Sequence, residues 1–303
     1  MIIIRPAAVN DARLASSNVP ETDAPEWAVG TTYALDAEVM VTLDGVHSIF
    51  KSLIASNVGN VPQNDDPVTP SFWARVSATN RWAMFSDQLS DQTEQADSII
   101  VELAGGSVVN SLALYRLDGT AVRVTMTDPI EGVVYDRESP LVDQGAVSDW
   151  YAYYFEPITR QTTLGLLDLP PYASAVLRVE IKYPSSIAKC GLLTFGAQFR
   201  VGETDWGASV GIVDYSRKER DTFGRPVIVE RNYSRRSNYA VTVDTSFVAA
   251  VQDVLAAYRT VPLTWIGSEL YPSTVVYGYY RDFDLVLSNY TKSLLNIEVE
   301  GLT

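Results

Sequence analysis

The hydrophobic and polar positions of this chain alternate with a period of two along most of its length, the signature of half-buried strands. The clearest case is Ala175-Val-Leu-Arg-Val-Glu-Ile-Lys-Tyr183. Ala175, Leu177, Val179, Ile181 and Tyr183 fall on one face, and Val176, Arg178, Glu180 and Lys182 on the other. Between residues 80 and 205 similar strands are predicted at 82–85, 98–103, 111–116, 121–128, 133–137, 150–156, 163–167, 175–183 and 190–198. Their spacing, with turn residues between them, predicts an antiparallel β-sandwich.

The pattern changes at both ends. Residues 1–25 read as an arm: Ile2–Ile4 add one strand to a sheet, and Asn10–Pro25 is polar, acidic and proline-punctuated, which predicts an extended linker or lid. Residues 26–79 read as a small unit, with a strand over 38–43, a tight turn at Asp44-Gly45 and a returning strand over 46–53. An Asn-, Gly-, Pro- and Asp-rich loop then runs to Pro70 and is closed by Phe72-Trp73.

Residues 206–303 predict an α+β unit with strands at 225–231, 239–243, 263–266, 274–287 and 294–299. The helix expected over 247–258 carries Val248, Val251, Val254, Leu255 and Tyr258 at helical spacing, behind an N-cap at Asp244 or Thr245. The expected fold is therefore mainly β: a small β-hairpin module, an antiparallel β-sandwich and a C-terminal α+β unit with one helix.

Composition supports this picture. Hydrophobic residues make up 47% of the 303, enough for folded cores, and the 17 tyrosines favour pleated surfaces. The net charge of −14 is unevenly spread. Only Arg5, Arg13, Lys51, Arg75 and Arg81 are basic in the first hundred residues, whereas residues 217–236 hold seven basic side chains. Such acidity excludes nucleic acid as the main partner, because phosphate binding needs a dominant positive surface. The basic run Arg217, Lys218, Arg220, Arg225, Arg231, Arg235 and Arg236 reads instead as the complement of an acidic patch on a neighbouring subunit.

The first residues lack the features of a secretory leader, and no apolar run approaches a membrane span, so no membrane insertion is expected.

Catalytic chemistry is not foreseen. The single histidine, His47, and the single cysteine, Cys190, are far apart in the sequence, and no His/Cys metal motif or phosphate-binding glycine loop occurs. Cys190 is expected to be a buried apolar residue and His47 a surface hairpin residue. Carboxylate pairs such as Asp65-Asp66, Glu203/Asp205 and Asp282/Asp284 read as solvated surface. No cofactor, metal or catalytic residue is assigned. The one patterned set is aromatic: Trp27, Tyr33, Phe50 and Trp73, spaced around the small hairpin. Exposed, these rings would stack against the C–H faces of sugars; buried, they would be the module's core.

The series Trp27-Ala-Val-Gly-Thr-Thr-Tyr33, Glu38-Val39, Asp44-Gly45, Phe50-Lys-Ser52, Asn57, Gly59-Asn-Val-Pro62 and Trp73 resembles the chitin-binding modules of carbohydrate-binding families five and twelve. Asp36-Ala37, Phe50 and Ser52 depart from that pattern. The remainder is similar to bacteriophage tail-tip and baseplate (distal tail-like) proteins. That likeness lies in Asp205–Lys218, Asp221-Thr-Phe-Gly224, Leu255-Ala-Ala-Tyr-Arg259 and Ile297–Thr303.

These resemblances imply a non-enzymatic structural protein of the virion tail, made in the host cytoplasm. Its implied partners are copies of itself in a ring and other tail proteins, with host-surface polysaccharide as a further contact of the module. The rival reading is a secreted or virion-borne glycan-active enzyme or lectin that uses the module for targeting.

Overall fold

The computed structural model describes residues 1–43, 45–142, 150–155, 160–220, 222–268 and 271–302. Asp44, Glu156, Asp221 and Thr303, which belong to elements or motifs named above, lie outside the described residues. The chain is mainly β, with 52% of residues in strands and 9% helical, and its antiparallel sheets form a curled half-barrel.

One ten-stranded sheet organises the molecule. Its order is 163–166, 111–115, 192–200, 2–6, 263–266, 275–286, 292–301 and 233–244, with 203–204 and 209–214 both paired to the last of these. The N-terminal strand Ile2–Pro6 sits in the middle, antiparallel to both Leu192–Arg200 and Leu263–Ile266. Three apolar residues in succession suit this place, because a central strand with both faces covered needs no polar alternation. Ile3 and Ile4 are fully buried on opposite faces. The strand thereby joins the 80–205 segment to the 206–303 segment within one continuous sheet.

One face of the large sheet is covered in two halves. Over Leu112, Leu114, Leu193 and Phe195 lies a five-stranded sheet, ordered 14–17, 93–103, 176–190, 121–128 and 132–140. Leu177, Val179 and Ile181 point into this sandwich core, as their alternation predicts, while Tyr183 is half-buried. The strand continues from Val176 to Cys190 through Pro184, where the ladder slips at a bulge and Ser185 takes a positive φ. A bulge is where a strand tolerates proline, since no ladder donor is needed there.

Over the other half lies the helix Val248–Ala257, which buries Val251 and Leu255 against Trp265, Leu295 and Ile297. The expected side-chain N-cap is absent; a 3-10 turn over Thr245–Phe247 leads into the helix instead. The opposite face of the sheet is lined by Ile4, Ala113, Tyr115, Ile266, Val275 and Tyr277. At Gly196 a side chain would fall within van der Waals contact of the Arg5 carbonyl oxygen, so glycine is required for the N-terminal strand to dock.

Two expected strands are absent. Ala83–Phe85 is a 3-10 turn that buries Ala83 and Met84 beside Trp82. Trp150–Phe155 is a short helix. Its aromatic content suggests a strand, but β-propensity reflects packing against neighbouring strands more than an intrinsic backbone preference. Trp150 and Tyr154, four residues apart, stack at 6.2 Å as the helical repeat allows.

Part of the 1–25 arm is sheet rather than linker: Leu14–Ser17 forms an edge strand on Thr93–Leu103. Further along, Glu21 gathers His47 Nδ1 at 2.8 Å, Thr79 Oγ1 at 2.7 Å and Arg81 Nη1 at 3.3 Å. His47 is accordingly half-buried rather than a surface residue. Its ring lies 4.9 Å from that of Trp82, and its Nε2 is 3.1 Å from Asp11.

Candidate functional site

The 26–79 module is a three-stranded sheet of Glu38–Leu43, Val46–Ser52 and Trp73–Ala78. The hairpin pairs Glu38 with Lys51 through Leu43 with Val46, leaving a two-residue turn in which Gly45 has φ +83°. A positive φ at this place favours glycine, which is why the Asp-Gly signal works. The third strand does not follow from the sequence pattern, because Trp73-Ala-Arg-Val-Ser-Ala78 shows no clean alternation.

The structure brings the four aromatics together as the module's core. Trp73 is 1% exposed, Phe50 and Tyr33 are buried, and Trp27 packs against them partly buried. Tyr33 and Trp73 meet edge to face at 5.3 Å. The polar ends are also used internally: Trp73 Nε1 donates to the Asn60 carbonyl at 2.9 Å, and the Ala28 amide donates to Tyr33 Oη at 2.7 Å. Stacking on a sugar needs an open ring face, and the faces of Tyr33, Phe50 and Trp73 are closed. With so few strands, burying these rings is the main source of apolar stabilisation available to the module.

Asn57 ties the loop to this core. It is fully buried, its Nδ2 donates to Ser52 Oγ and the Phe72 carbonyl, and its Oδ1 accepts from Asn60.

Asp65 has a related task. Its carboxylate accepts the amides of Asp66, Ser71, Phe72 and Trp73 at 2.6–3.1 Å, which fixes the loop that delivers Trp73. Desolvation pushes its pKa up, but these backbone donors outweigh it and hold the carboxyl below its ordinary value. Asp65 is therefore a structural acceptor rather than idle solvated surface.

A carboxylate with a depressed folded-state pKa contributes stability that is complete above about pH 3.9, its unfolded value, and is lost as pH falls through the folded value. Asp65→Asn is expected to weaken the module by about 1–2 kcal/mol at neutral pH and to flatten its acid sensitivity below about pH 4. Amide hydrogen exchange of peptides from 26–79, followed against pH, measures both effects. Unchanged exchange in the variant would contradict this role.

The second candidate surface is a long two-stranded ribbon. Ser209–Asp214 pairs with the start of Tyr233–Asp244, from Ser209 opposite Asn238 to Asp214 opposite Tyr233. The ladder slips by one residue, and Arg217–Arg220 then pairs with Pro226–Val229. The neighbouring strand Lys292–Gly301 pairs no further along than Arg236, so among the described residues the outer ribbon has two strands. Every described residue of Arg217–Arg220 and Pro226–Val229 is exposed. Ile212 and Ile228 are 63% and 67% exposed, Val227, Val229 and Tyr233 are also open, and Trp206 stands 93% exposed just before the ribbon.

The predicted basic set lies on this ribbon. Lys218 binds Asp214 at 2.5 Å, Arg217 binds Glu219 at 2.6 Å and Arg236 approaches Glu298 at 3.7 Å. Among the described residues Arg220, Arg231 and Arg235 make no salt bridge. The charges form the set predicted from the sequence, and the apolar residues between them are not part of it. Val227-Ile-Val229 was a visible signal, a β-branched run of the kind expected in a buried strand.

Elsewhere, burial pushes the Cys190 thiol up to about 12, which leaves it protonated and unreactive. Among the described residues no group of three or more His, Cys, Asp or Glu is placed to hold a metal ion, and no helix is long and apolar enough to cross a membrane. Compared with protein-family models, curated proteins and solved structures, the chain matches none of them.

Proposed function

We propose that this chain is a non-catalytic structural component of a phage tail tip or baseplate, assembling as a ring of its own copies with other tail proteins. The observation that carries the assembly part is the exposed 209–238 ribbon. A lone two-stranded ribbon is at best marginally stable in water, and a row of open β-branched residues is an aggregation hazard unless something covers it. Such a surface is what a subunit keeps for its neighbours.

The tail assignment rests on the resemblance of Asp205–Lys218, Leu255–Arg259 and Ile297–Thr303 to tail-tip proteins. The non-catalytic part of the proposal rests on the same resemblance, which implies a structural protein.

Any contact with host-surface polysaccharide would fall to Trp27, because Tyr33, Phe50 and Trp73 are enclosed. Imaging of purified particles with an antibody to this chain tests the proposal. Several equal copies at the distal end of the tail are expected, and absence of the chain from particles would overturn it.

A further inference from the structure

The ribbon and the 26–79 module of one chain are complementary in two independent respects. The first is charge. Residues 209–238 hold seven basic side chains against four acidic ones, and residues 26–79 hold six acidic side chains against the basic Lys51 and Arg75. The basic character continues at the ribbon's root. A hollow of about 880 Å³ there is lined by Arg160, Arg235 and Arg236, with no carboxylate among its described lining residues.

On the module, Asp36 is occupied by Lys51 at 2.9 Å. Glu26 and Glu38, by contrast, are exposed and make no ion pair among the described residues. They lie together on the outer edge of the module's sheet, where Glu26 bridges to Met40 beside the strand Glu38–Leu43.

The second respect is apolar surface. Val29 and Leu35, beside these carboxylates in the chain, are 67% and 54% exposed, matching the open Ile212 and Ile228 of the ribbon.

Resting on the assembly reading above, we propose that the ribbon of one copy docks on the Glu26/Glu38 edge of the module of a second copy. The contact joins two different surfaces, so it is heterologous, and repeated around an axis it closes a ring or, unclosed, builds a filament. Opposite charges set the register and raise the rate of encounter, while the β-branched residues and the module's open apolar side chains supply the buried area.

A charge-swap experiment on the full chain tests this, with mass photometry over a range of concentration and salt as the readout. Arg217→Glu/Lys218→Glu/Arg220→Glu and, separately, Glu26→Lys/Glu38→Lys are each expected to weaken self-association at least about tenfold, a change equivalent to about 1.4 kcal/mol. All five substitutions in one chain restore the opposite signs and are expected to recover most of the loss. Because the substituted side chains are exposed, circular dichroism and melting temperature should stay near those of the parent. Val227→Ser/Ile228→Ser, which leaves the charges alone, gives an independent loss of assembly.

If the parent assembles but either charge variant assembles equally well, or the combined variant fails to recover, the ribbon–module contact is wrong and the assembly reading stands. If the parent is monomeric throughout, both fail.

Discussion

Replacing Ile3 with aspartate is expected to prevent the C-terminal half of the molecule from folding. Ile3 is fully buried in the cluster formed with Val241, Val251, Leu263, Trp265 and Ile297. Its strand is hydrogen-bonded on both sides, to Leu192–Arg200 and to Leu263–Ile266. A carboxylate there has no cation within the apolar cluster, so it must be desolvated or take up a proton, and the side-chain volume of isoleucine is lost as well. The cost is of order 4 kcal/mol or more, a large part of the stability of an ordinary domain. Chemical denaturation should show a folded parent and a variant without its cooperative transition. Ile3→Val, which keeps the apolar character, is expected to cost only about 1 kcal/mol. Near-equal stability of Ile3→Asp and the parent would mean that the N-terminal strand is not the central element.

The second large effect is expected at Trp73. Trp73→Ala removes the fully buried tryptophan ring of the module's core, the edge contact to Tyr33 and the Nε1 bond to Asn60. In a well-packed core such a truncation costs about 3–5 kcal/mol. The module has few other buried apolar side chains to compensate, so 26–79 should unfold locally while the large sheet keeps its protection. Hydrogen exchange resolves this: peptides from 33–57 and 73–78 should lose protection in the variant, and peptides from 263–301 should not. Retained protection throughout the module would show that its aromatic core is not what holds it together. The same result bears on glycan binding, because loss of sugar binding in Trp73→Ala would report unfolding rather than removal of a stacking ring.

Much of the fold is legible in the sequence, and the parts that are not share a cause. The Asp-Gly hairpin, the alternating 175–183 strand and the Val248–Ala257 helix rest on local signals, and local signals are what a sequence displays. The central position of Ile2–Pro6 depends on partners about 190 and 260 residues away, which no local pattern announces. The same holds for the sheet that runs continuously across residues 205 and 206. Trp150–Phe155 misleads because aromatic content predicts a strand only where a neighbouring strand exists to pack on.

The candidate sites show the same division. Trp27, Tyr33, Phe50 and Trp73 cluster together in the structure, but their spacing alone does not say whether a ring faces water or its neighbours. The charges of the ribbon are plain in the sequence. Its exposure is not, since Val227-Ile-Val229 reads as core until it is seen that the pairing of Lys292–Gly301 ends at Arg236.

The central claim is that the 209–238 ribbon exists to be covered by another copy. It is tested by the solution mass of the full chain beside a variant in which residues 216–231, beyond the Tyr215–Asn232 pair, are replaced by a two-residue Asn-Gly turn. A discrete multimer is expected for the parent and a folded monomer, with unchanged melting of the body, for the shortened chain. A parent that stays monomeric at every concentration, or a shortened chain that assembles as the parent does, would contradict it.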